Sequence, residues 1–361
     1  MRRLIPRGLA FLGIAGLTSY KLLPGSTQQD MRGSLRSCAN GARLLPLVAH
    51  SVHLYRSRLR CLAYPSEEYT RERAKVHTEV AEKILFLAES NRGVYLKAGQ
   101  YISTLENIVP REYVRVLAKL QDSGPALPFP EVRPLLEAEL AGGGPLAAVF
   151  RRLEPEALAA ASLAQVHRGV LLDGREVAVK VQFPFLRTQT PCDLWVLRNT
   201  LRFLTWLLER YQYDHINLLH FYSHFEAALL EELDFAREAR HAEDTRFNFR
   251  HSALPLHVPQ VLQASHRVLL MEFEKGVRIS DLEHLHRLFP RGLQPIGHQL
   301  NAIFAKMLFS DGHIHCDAHP GNILVRRGKA GAGGGGGGPQ IVLLDHGFYT
   351  QLDEQFLSAF S

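Results

Sequence analysis

Near the C-terminus of this chain, one arrangement leaves few folds open. Asp317-Ala318-His319-Pro320-Gly321-Asn322 sets an acid five residues before an amide and runs directly into Ile323-Leu324-Val325. Ile341-Val342-Leu343-Leu344 then delivers Asp345 into His346-Gly347. Two apolar runs joined by a polar loop read as the strands of a hairpin. A carboxylate at 317 can accept a proton from a nucleophile or orient it. An amide at 322 and a second carboxylate at 345 are oxygen ligands of the kind that hold magnesium against phosphates. Either motif alone is weak, since Asp-x-Gly is usually a turn. Together and in this order they have the layout of a phosphoryl-transfer site.

A metal-hydrolase reading competes for the same residues. His313-x-His315-x-Asp317-x-His319 comes close to the spacing of dinuclear zinc sites. It carries one residue too many, and His346 is the only histidine downstream to complete a ligand set.

A chain of 361 residues makes one large domain or two. With 46% hydrophobic and 22% charged residues, it can build an ordinary globular core. The net charge of +6 is concentrated at the front: before Glu67 the one acid is Asp30, among many arginines. That distribution argues against a nucleic-acid groove spread over the fold and for a basic N-terminal extension. Cys38, Cys61, Cys192 and Cys316 lack paired spacing, so a reducing compartment is expected.

Residues 1–66 read as a basic targeting or membrane-associated segment. Met1 to Lys21 is Arg-rich and acid-free, as mitochondrial presequences are. Its apolar run Leu9–Tyr20 is too short to span a bilayer. A secretory signal is the rival, without a clear cleavage site. Leu44–Leu54, broken by Pro46, fits either a membrane-surface segment or a packed helix.

Residues 67–145 read as a helical unit. Ser66-Glu67-Glu68 supplies a cap and first-turn acids, and Val76, Val80, Ile84 and Leu87 recur at helical spacing up to Asn91-Arg92-Gly93. On composition alone, Lys97 and Gln100 face solvent. Ser123–Pro130 is a Pro-rich linker before a short helix to Leu140.

Residues 146–280 read as a small nucleotide lobe. The loop Ala159-Ala160-Ala161-Ser162 lets backbone N–H groups approach phosphates. Val166–Leu172, Asp173-Gly174 and Glu176–Val181 form a hairpin. Lys180 lies inside its second strand, among valines and alanine, where a lysine is costly unless it meets charge. Phosphates and a carboxylate would satisfy it, and Glu232, Asp234 and Glu238 are the candidate partners. Residues 189–212 form an apolar helix with Leu194, Leu197, Leu201, Leu204 and Leu208 as core, and 218–244 a second helix. Arg267–Phe273 is a strand, with Met271 and Phe273 bordering adenine and Lys275-Gly276 as hinge. Residues 281–361 hold the helix Pro295–Phe309, both motifs, and a Gly-rich hairpin tip at 329–338. The chain ends soon after Asp345, so the large lobe is expected to be incomplete.

These motifs resemble those of the UbiB (aarF-domain) atypical kinase-like family from about residue 67 onward. Lys97-Ala98-Gly99-Gln100 is similar to its Lys-x-Gly-Gln signature, and Ala159–Gln165 to its alanine-rich loop. Glu232-Leu233-Asp234 and Glu238 resemble its Glu-x-Asp motif and helix glutamate. Tyr64–Tyr69 and Asn91-Arg92-Gly93 point to one mitochondrial branch. The resemblance implies an α+β, two-lobed, protein-kinase-like fold with an N-terminal helical extension. It implies ATP or ADP and Mg2+ as cofactors. Lys180 would meet phosphates and Glu238, Asn322 and Asp345 would bind magnesium, and Asp317 would be the catalytic aspartate. Lys97 and Gln100 would act with Glu232 and Asp234 in regulating the cleft. Weak phosphorylation of proteins, and ATPase activity or action on a lipid or isoprenoid acceptor at the mitochondrial membrane, would follow. A nucleotide-binding pseudokinase or scaffold is the alternative. Ala318 departs from the family's proline and His241 from its frequent asparagine.

Overall fold

The computed structural model describes residues 25–121, 124–210, 218–328, 337–353, 355 and 358. The apolar run Leu9–Tyr20 and most of the Gly-rich insert lie outside these residues. The helices in chain order are α1 (Gly25–Leu59), α2 (Glu67–Asn91), α3 (Gly93–Ser103), α4 (Arg111–Leu117), α5 (Phe129–Leu140), α6 (Leu186–Arg210), α7 (Leu218–Glu232), α8 (Phe235–Phe249), α9 (Leu282–Leu288) and α10 (Gln294–Lys306). The chain divides into two compact units, residues 1–124 with 184–225, and residues 125–183 with 226–361.

The first unit is helical. Ser66 caps α2 by accepting from Tyr69 N at 3.0 Å, and Arg92, at φ 58°, ends it. The α2 stripe Val76, Val80, Leu87 and Ala88 is buried. Leu44–Leu54 belongs to the long helix α1, with Leu44 and Leu54 packed against α2, so this run is a packed helix. Pro46 sits inside α1 without ending it. Small residues let α6 approach α1: a Cβ on Gly33 would fall 2.0 Å from Thr188 Oγ1, and one on Gly41 3.3 Å from Val196. Only the first half of α6 buries a face, through Leu186, Gln189, Thr190, Asp193 and Leu194. Leu197, Leu201, Leu204 and Leu208, expected as core, are half-buried. No helix among the described residues is long and apolar enough to cross a membrane.

Gly99 of the Lys-x-Gly-Gln segment packs on fully buried Leu120, whose Cδ1 lies 2.3 Å from where a Cβ would stand. Gly99→Ala is therefore expected to destabilise this unit by about 1–3 kcal/mol, read as a lowered melting temperature. Gln100 does not face solvent: it is half-buried and donates to Leu120 O at 2.7 Å.

Asp193 is 2% exposed between α6 and α1, with Asn40 Nδ2 3.4 Å from its Oδ2 and no cation paired to it among the described residues. Burial pushes its carboxyl up to about 6, opposed by Ser37 and Asn40. The folded state holds this proton more tightly than the unfolded chain, whose aspartate titrates near 3.8. Stability from this group is therefore complete below that value and lost as pH rises through 6. Asp193→Asn is expected to stabilise the protein at pH 7 by up to about 3 kcal/mol, with the gain vanishing by pH 4. Thermal melts of both proteins across that range check it.

The second unit carries three sheets. The largest has strand order β1-β3-β4-β7-β6, with β2 on β3. Its strands are β1 (Phe150–Leu153), β2 (Ala159–Ala160), β3 (Ala164–Leu171), β4 (Glu176–Gln182), β6 (Val261–Ala264) and β7 (Val268–Glu272). The β3–β4 turn is Asp173-Gly174, with Gly174 at φ 92° and Asp173 Oδ1 accepting from Arg175 N. Alternation divides β4 between two cores. Val177, Val179 and Val181 pack with Leu135 and Leu136 of α5, while Ala178 joins Leu269, Met271 and Phe235 on the other face. The second sheet has order β5-β11-β10-β8, using β5 (Leu256–His257), β8 (Val277–Arg278), β10 (Ile323–Arg327) and β11 (Pro339–Leu343). It packs with Ile296, Ile303 and Met307 of α10 and the turn after it. The third sheet pairs β9 (His313–His315) with β12 (Tyr349–Gln351).

The segment expected as one helix from 218 to 244 is two. Leu233 and Asp234 break it, and Asp234 caps α8 by accepting from Ala236 N at 3.0 Å. An aspartate in extended backbone gives the chain an N-cap there, which competes with a continuing helix.

Candidate functional site

Lys180 lies on β4, an inner strand between β3 and β7. An escape to water at a sheet edge is therefore closed to it. Its register neighbours are Val166 and Leu269. Buried residues of α8 recur as Phe235, Glu238, Ala242, Thr245 and Phe249, so one helix face turns inward and carries a carboxylate on it. Lys180 Nζ donates to both Glu238 oxygens at 2.8 Å and to Asp345 Oδ2 at 3.0 Å. The ammonium also lies 5.0 Å from the centre of the Phe235 ring. Of the three candidate partners in the sequence, Glu238 is the one that meets Lys180.

The electrostatics follow from that geometry. Burial acts to lower the Lys180 ammonium, but Asp345 and Glu238 outweigh it and hold it well above the usual lysine range. Burial pushes Glu238 up to about 7, with Lys180 pulling it down and the Asp345 charge pushing it further up. Burial alone would raise Asp345 too, yet Lys180 and the Gly347 N–H hold it well below the usual carboxylate range. Among the described residues, one cation thus serves two carboxylates, Glu238 and Asp345. This cluster carries more negative than positive charge, which suits a hard cation.

The β10–β11 ladder brings the two motifs together. Ile323 pairs with Leu343, and Leu344 N donates to Asn322 O at 2.9 Å, so Asn322 stands one residue from the level of Asp345. Gly347 N donates to Asp345 Oδ1 at 2.8 Å, forming the tight Asp-x-Gly turn. Side-chain oxygens of Asn322 and Asp345 are the right donor type for magnesium, and the excess negative charge fits it. Among the described residues, no hydrogen bond or ion pair occupies the Asn322 amide or the Asp317 carboxylate.

His315, which the sequence offered as a zinc ligand, has both ring nitrogens engaged. Nε2 donates to Asp345 O at 2.7 Å, and Nδ1 accepts from Asp317 N at 3.1 Å. Burial keeps it neutral, holding its pKa below the usual histidine range against the bond to Asp345. His319 Nδ1 accepts from Gly321 N. With both ring nitrogens engaged, His315 is out of a zinc set, and among the described residues His313, Asp317 and His319 do not gather with it around a common point. His315 ties the Asp317 loop to the Asp345 turn. His346 extends that tie: Nε2 meets Leu343 O at 3.1 Å and Nδ1 meets Tyr349 Oη at 2.8 Å. Burial and His315 bring His346 down to about 3. His241 Nδ1 donates to His346 O at 3.2 Å. His315→Leu is expected to cost about 1–3 kcal/mol by orphaning the Asp345 carbonyl and Asp317 N–H, seen as a lower urea midpoint.

Sequence reasoning missed His315, His346 and Tyr349 as positioning groups. His315 bonds a backbone carbonyl thirty residues on, and Tyr349 takes the Thr245 hydroxyl from α8. The local bonds of His346 to Leu343 O and Tyr349 Oη follow from how the turn folds rather than from any residue pattern. It also missed Gln182, whose Nε2 donates to Leu233 O at 2.6 Å and His266 O at 3.0 Å, holding the α7–α8 break on the sheet.

The other expected residues fall as follows. Ala159 and Ala160 pair with Val166 and Gln165, Ala161 N donates to Ala164 O at 2.8 Å, and Ser162 is buried. Ala159, Val166, Lys180 and Leu269 thus form one row across the sheet. Met271 lies in the Lys180-face core with Phe273 packed against it, and Arg168 stacks over the Phe273 ring at 4.7 Å. Asp234 takes His266 Nδ1 at 2.8 Å besides capping α8. Lys97 and Gln100 lie half-buried on α3 of the first unit. At the hinge, Glu274 is held between His257 Nε2 at 2.6 Å and the Arg326 guanidinium.

Residues 119–361 match the family model described as the ABC1 atypical kinase-like domain. AarF domain-containing protein kinase 1 of Xenopus laevis is 35% identical over 309 residues, covering 84% of this chain and 56% of that protein. Its counterpart of the same name in Mus musculus is 35% identical over 308 residues, covering 84% and 55%. The chain therefore spans about half the length of these relatives. Among solved structures, Rv3197 of Mycobacterium tuberculosis, determined with erythromycin, is similar at a TM-score of 0.50 and 25% identity, over 78% of this chain and 67% of that one.

Proposed function

This chain belongs to the ABC1 atypical kinase-like family, with an α+β kinase-like fold, and on that premise we propose that it binds ATP or ADP with magnesium and transfers or hydrolyses the terminal phosphoryl group. The observation that carries this reading is the Lys180–Glu238–Asp345 cluster beside Asn322, with Glu238 buried and Asp345 partly open to solvent. Lys180, kept in place by Glu238, meets phosphate oxygens. Ala159, Ala160, Ala161 and Ser162 border the phosphates, and Met271 and Phe273 border the base. Asn322 and Asp345 hold magnesium, which neutralises phosphate charge when bound. Asp317, with its carboxylate unengaged, orients the attacking hydroxyl or water. Lys97, Gln100, Glu232 and Asp234 set the level of activity.

The finer reading places this activity at a mitochondrial membrane, with a lipid or isoprenoid-linked acceptor and a part in lipid or coenzyme Q homeostasis. Its support is the Arg-rich, acid-free start of the chain and the resemblance to the aarF-domain family.

Calorimetric titration of the recombinant chain with ADP and ATP, with and without magnesium, tests the core of the proposal, together with an assay of phosphate release. Magnesium-dependent binding with turnover supports it. Binding without turnover would instead favour a nucleotide-binding pseudokinase, and no binding of either nucleotide would refute both.

A further inference from the structure

The chain has two tryptophans in 361 residues. Both sit on α6, and both are turned outward, Trp195 67% exposed and Trp206 56% exposed. Phe203, 52% exposed, stacks on Trp206 with ring centres 5.8 Å apart. At 3.6 residues per turn, Trp195, Arg202, Phe203, Trp206 and Arg210 fall within about 100° of one another around the helix. Large aromatic side chains left in water at this density call for a partner, since their burial is strongly favourable.

The charge on this face indicates which partner. Arg202 and Arg210 are exposed and have no carboxylate partner among the described residues. Glu209 is the one acid on the exposed side of α6, because Asp193 is buried against α1. The aromatic and basic side chains lie along one side of a single helix. Tryptophan and arginine together on a helix lying flat suit the boundary of an anionic bilayer, with rings at the headgroup level and guanidinium groups at the phosphates.

We propose that the outer face of α6, through Trp195, Phe203, Trp206, Arg202 and Arg210, docks this protein on an anionic lipid surface. This deepens the membrane-associated reading above and rests on it.

The two tryptophans make the test direct. The full recombinant chain is mixed with vesicles of phosphatidylcholine containing phosphatidylglycerol, and its tryptophan emission and co-sedimentation are followed. The expected results are a blue shift of emission, quenching by brominated acyl chains, and weak binding to pure phosphatidylcholine. Trp195→Ala with Trp206→Ala should lower vesicle affinity about tenfold or more. Arg202→Gln and Arg210→Gln should each lower it about fivefold. Exposed side chains can be changed without disturbing the fold, so nucleotide-induced thermal stabilisation should be the same in all variants. Co-sedimentation with unshifted emission, or unchanged affinity in the double tryptophan variant, would mean that the Arg-rich N-terminal segment binds the bilayer alone; that overturns the α6 face and leaves the membrane reading standing. No co-sedimentation of the wild-type chain with anionic vesicles would overturn both.

Discussion

Lys180→Ala is expected to abolish nucleotide binding, with affinity for ATP or ADP with magnesium falling about a hundredfold or more. Among the described residues, the ammonium is the one cation bonded to Glu238 and Asp345, and its side chain is 14% exposed. Without it, two carboxylates face each other, and phosphates would enter against their combined charge. Removing one partner of a buried ion pair costs about 3–5 kcal/mol. The variant should therefore also melt at lower temperature, with Glu238 taking up a proton. Lys180→Arg keeps the charge and should retain more stability than the alanine variant, while its planar fork fits a site built for a compact ammonium poorly. Calorimetric titration on protein shown to be folded by circular dichroism separates loss of binding from loss of fold. Equal affinity in wild type and Lys180→Ala would end the phosphate-binding role.

Asp345→Asn should separate binding from chemistry. The substitution preserves shape, and the amide oxygen can still accept from Gly347 N. It removes one of the negative charges that would hold magnesium. It also relieves the repulsion that helps push Glu238 up to about 7. Magnesium-dependent phosphate release is expected to fall about a hundredfold or more, since losing only the outer support of a metal ligand already costs about ten- to a hundredfold. Nucleotide binding in the absence of magnesium should persist, because Lys180 and Glu238 remain paired. Wild-type turnover in this variant would remove Asp345 from the metal site and leave the fold assignment untouched.

Much of this site could be read along the chain because its signals are local. The Asp173-Gly174 turn and the period-two valines around it define β3 and β4, and they place Lys180 inside a strand. The apolar runs after Asn322 and before Asp345 define β10 and β11 in the same way. Pairing such runs across a short loop brings their polar ends together, so the neighbourhood of Asn322 and Asp345 follows from strand geometry. The cap at Ser66 and the stop at Asn91-Arg92-Gly93 are local as well.

Other features lay beyond any local signal. Read from the residues alone, Glu232, Asp234 and Glu238 were equal as partners for Lys180. The family resemblance singled out Glu238, and the physical reason is that the helix breaks at Leu233–Asp234 and α8 turns the Phe235–Glu238–Ala242 face inward. His315 looked like a metal ligand because its neighbours in sequence are histidines and an acid. Its real partners are the carbonyl of Asp345 and the amide of Asp317, which pattern reading cannot see. The stripe of leucines in α6 read as core, and the long helix left its second half half-buried with both tryptophans outward. The order of turns, strands and charged residues was thus contained in the amino-acid sequence, because torsional preference and side-chain alternation act over a few residues. Which acid met the lysine, which histidines held the loops, and which face of α6 stayed in water were decided by tertiary packing, because burial and hydrogen bonding there join residues separated by tens to more than a hundred positions.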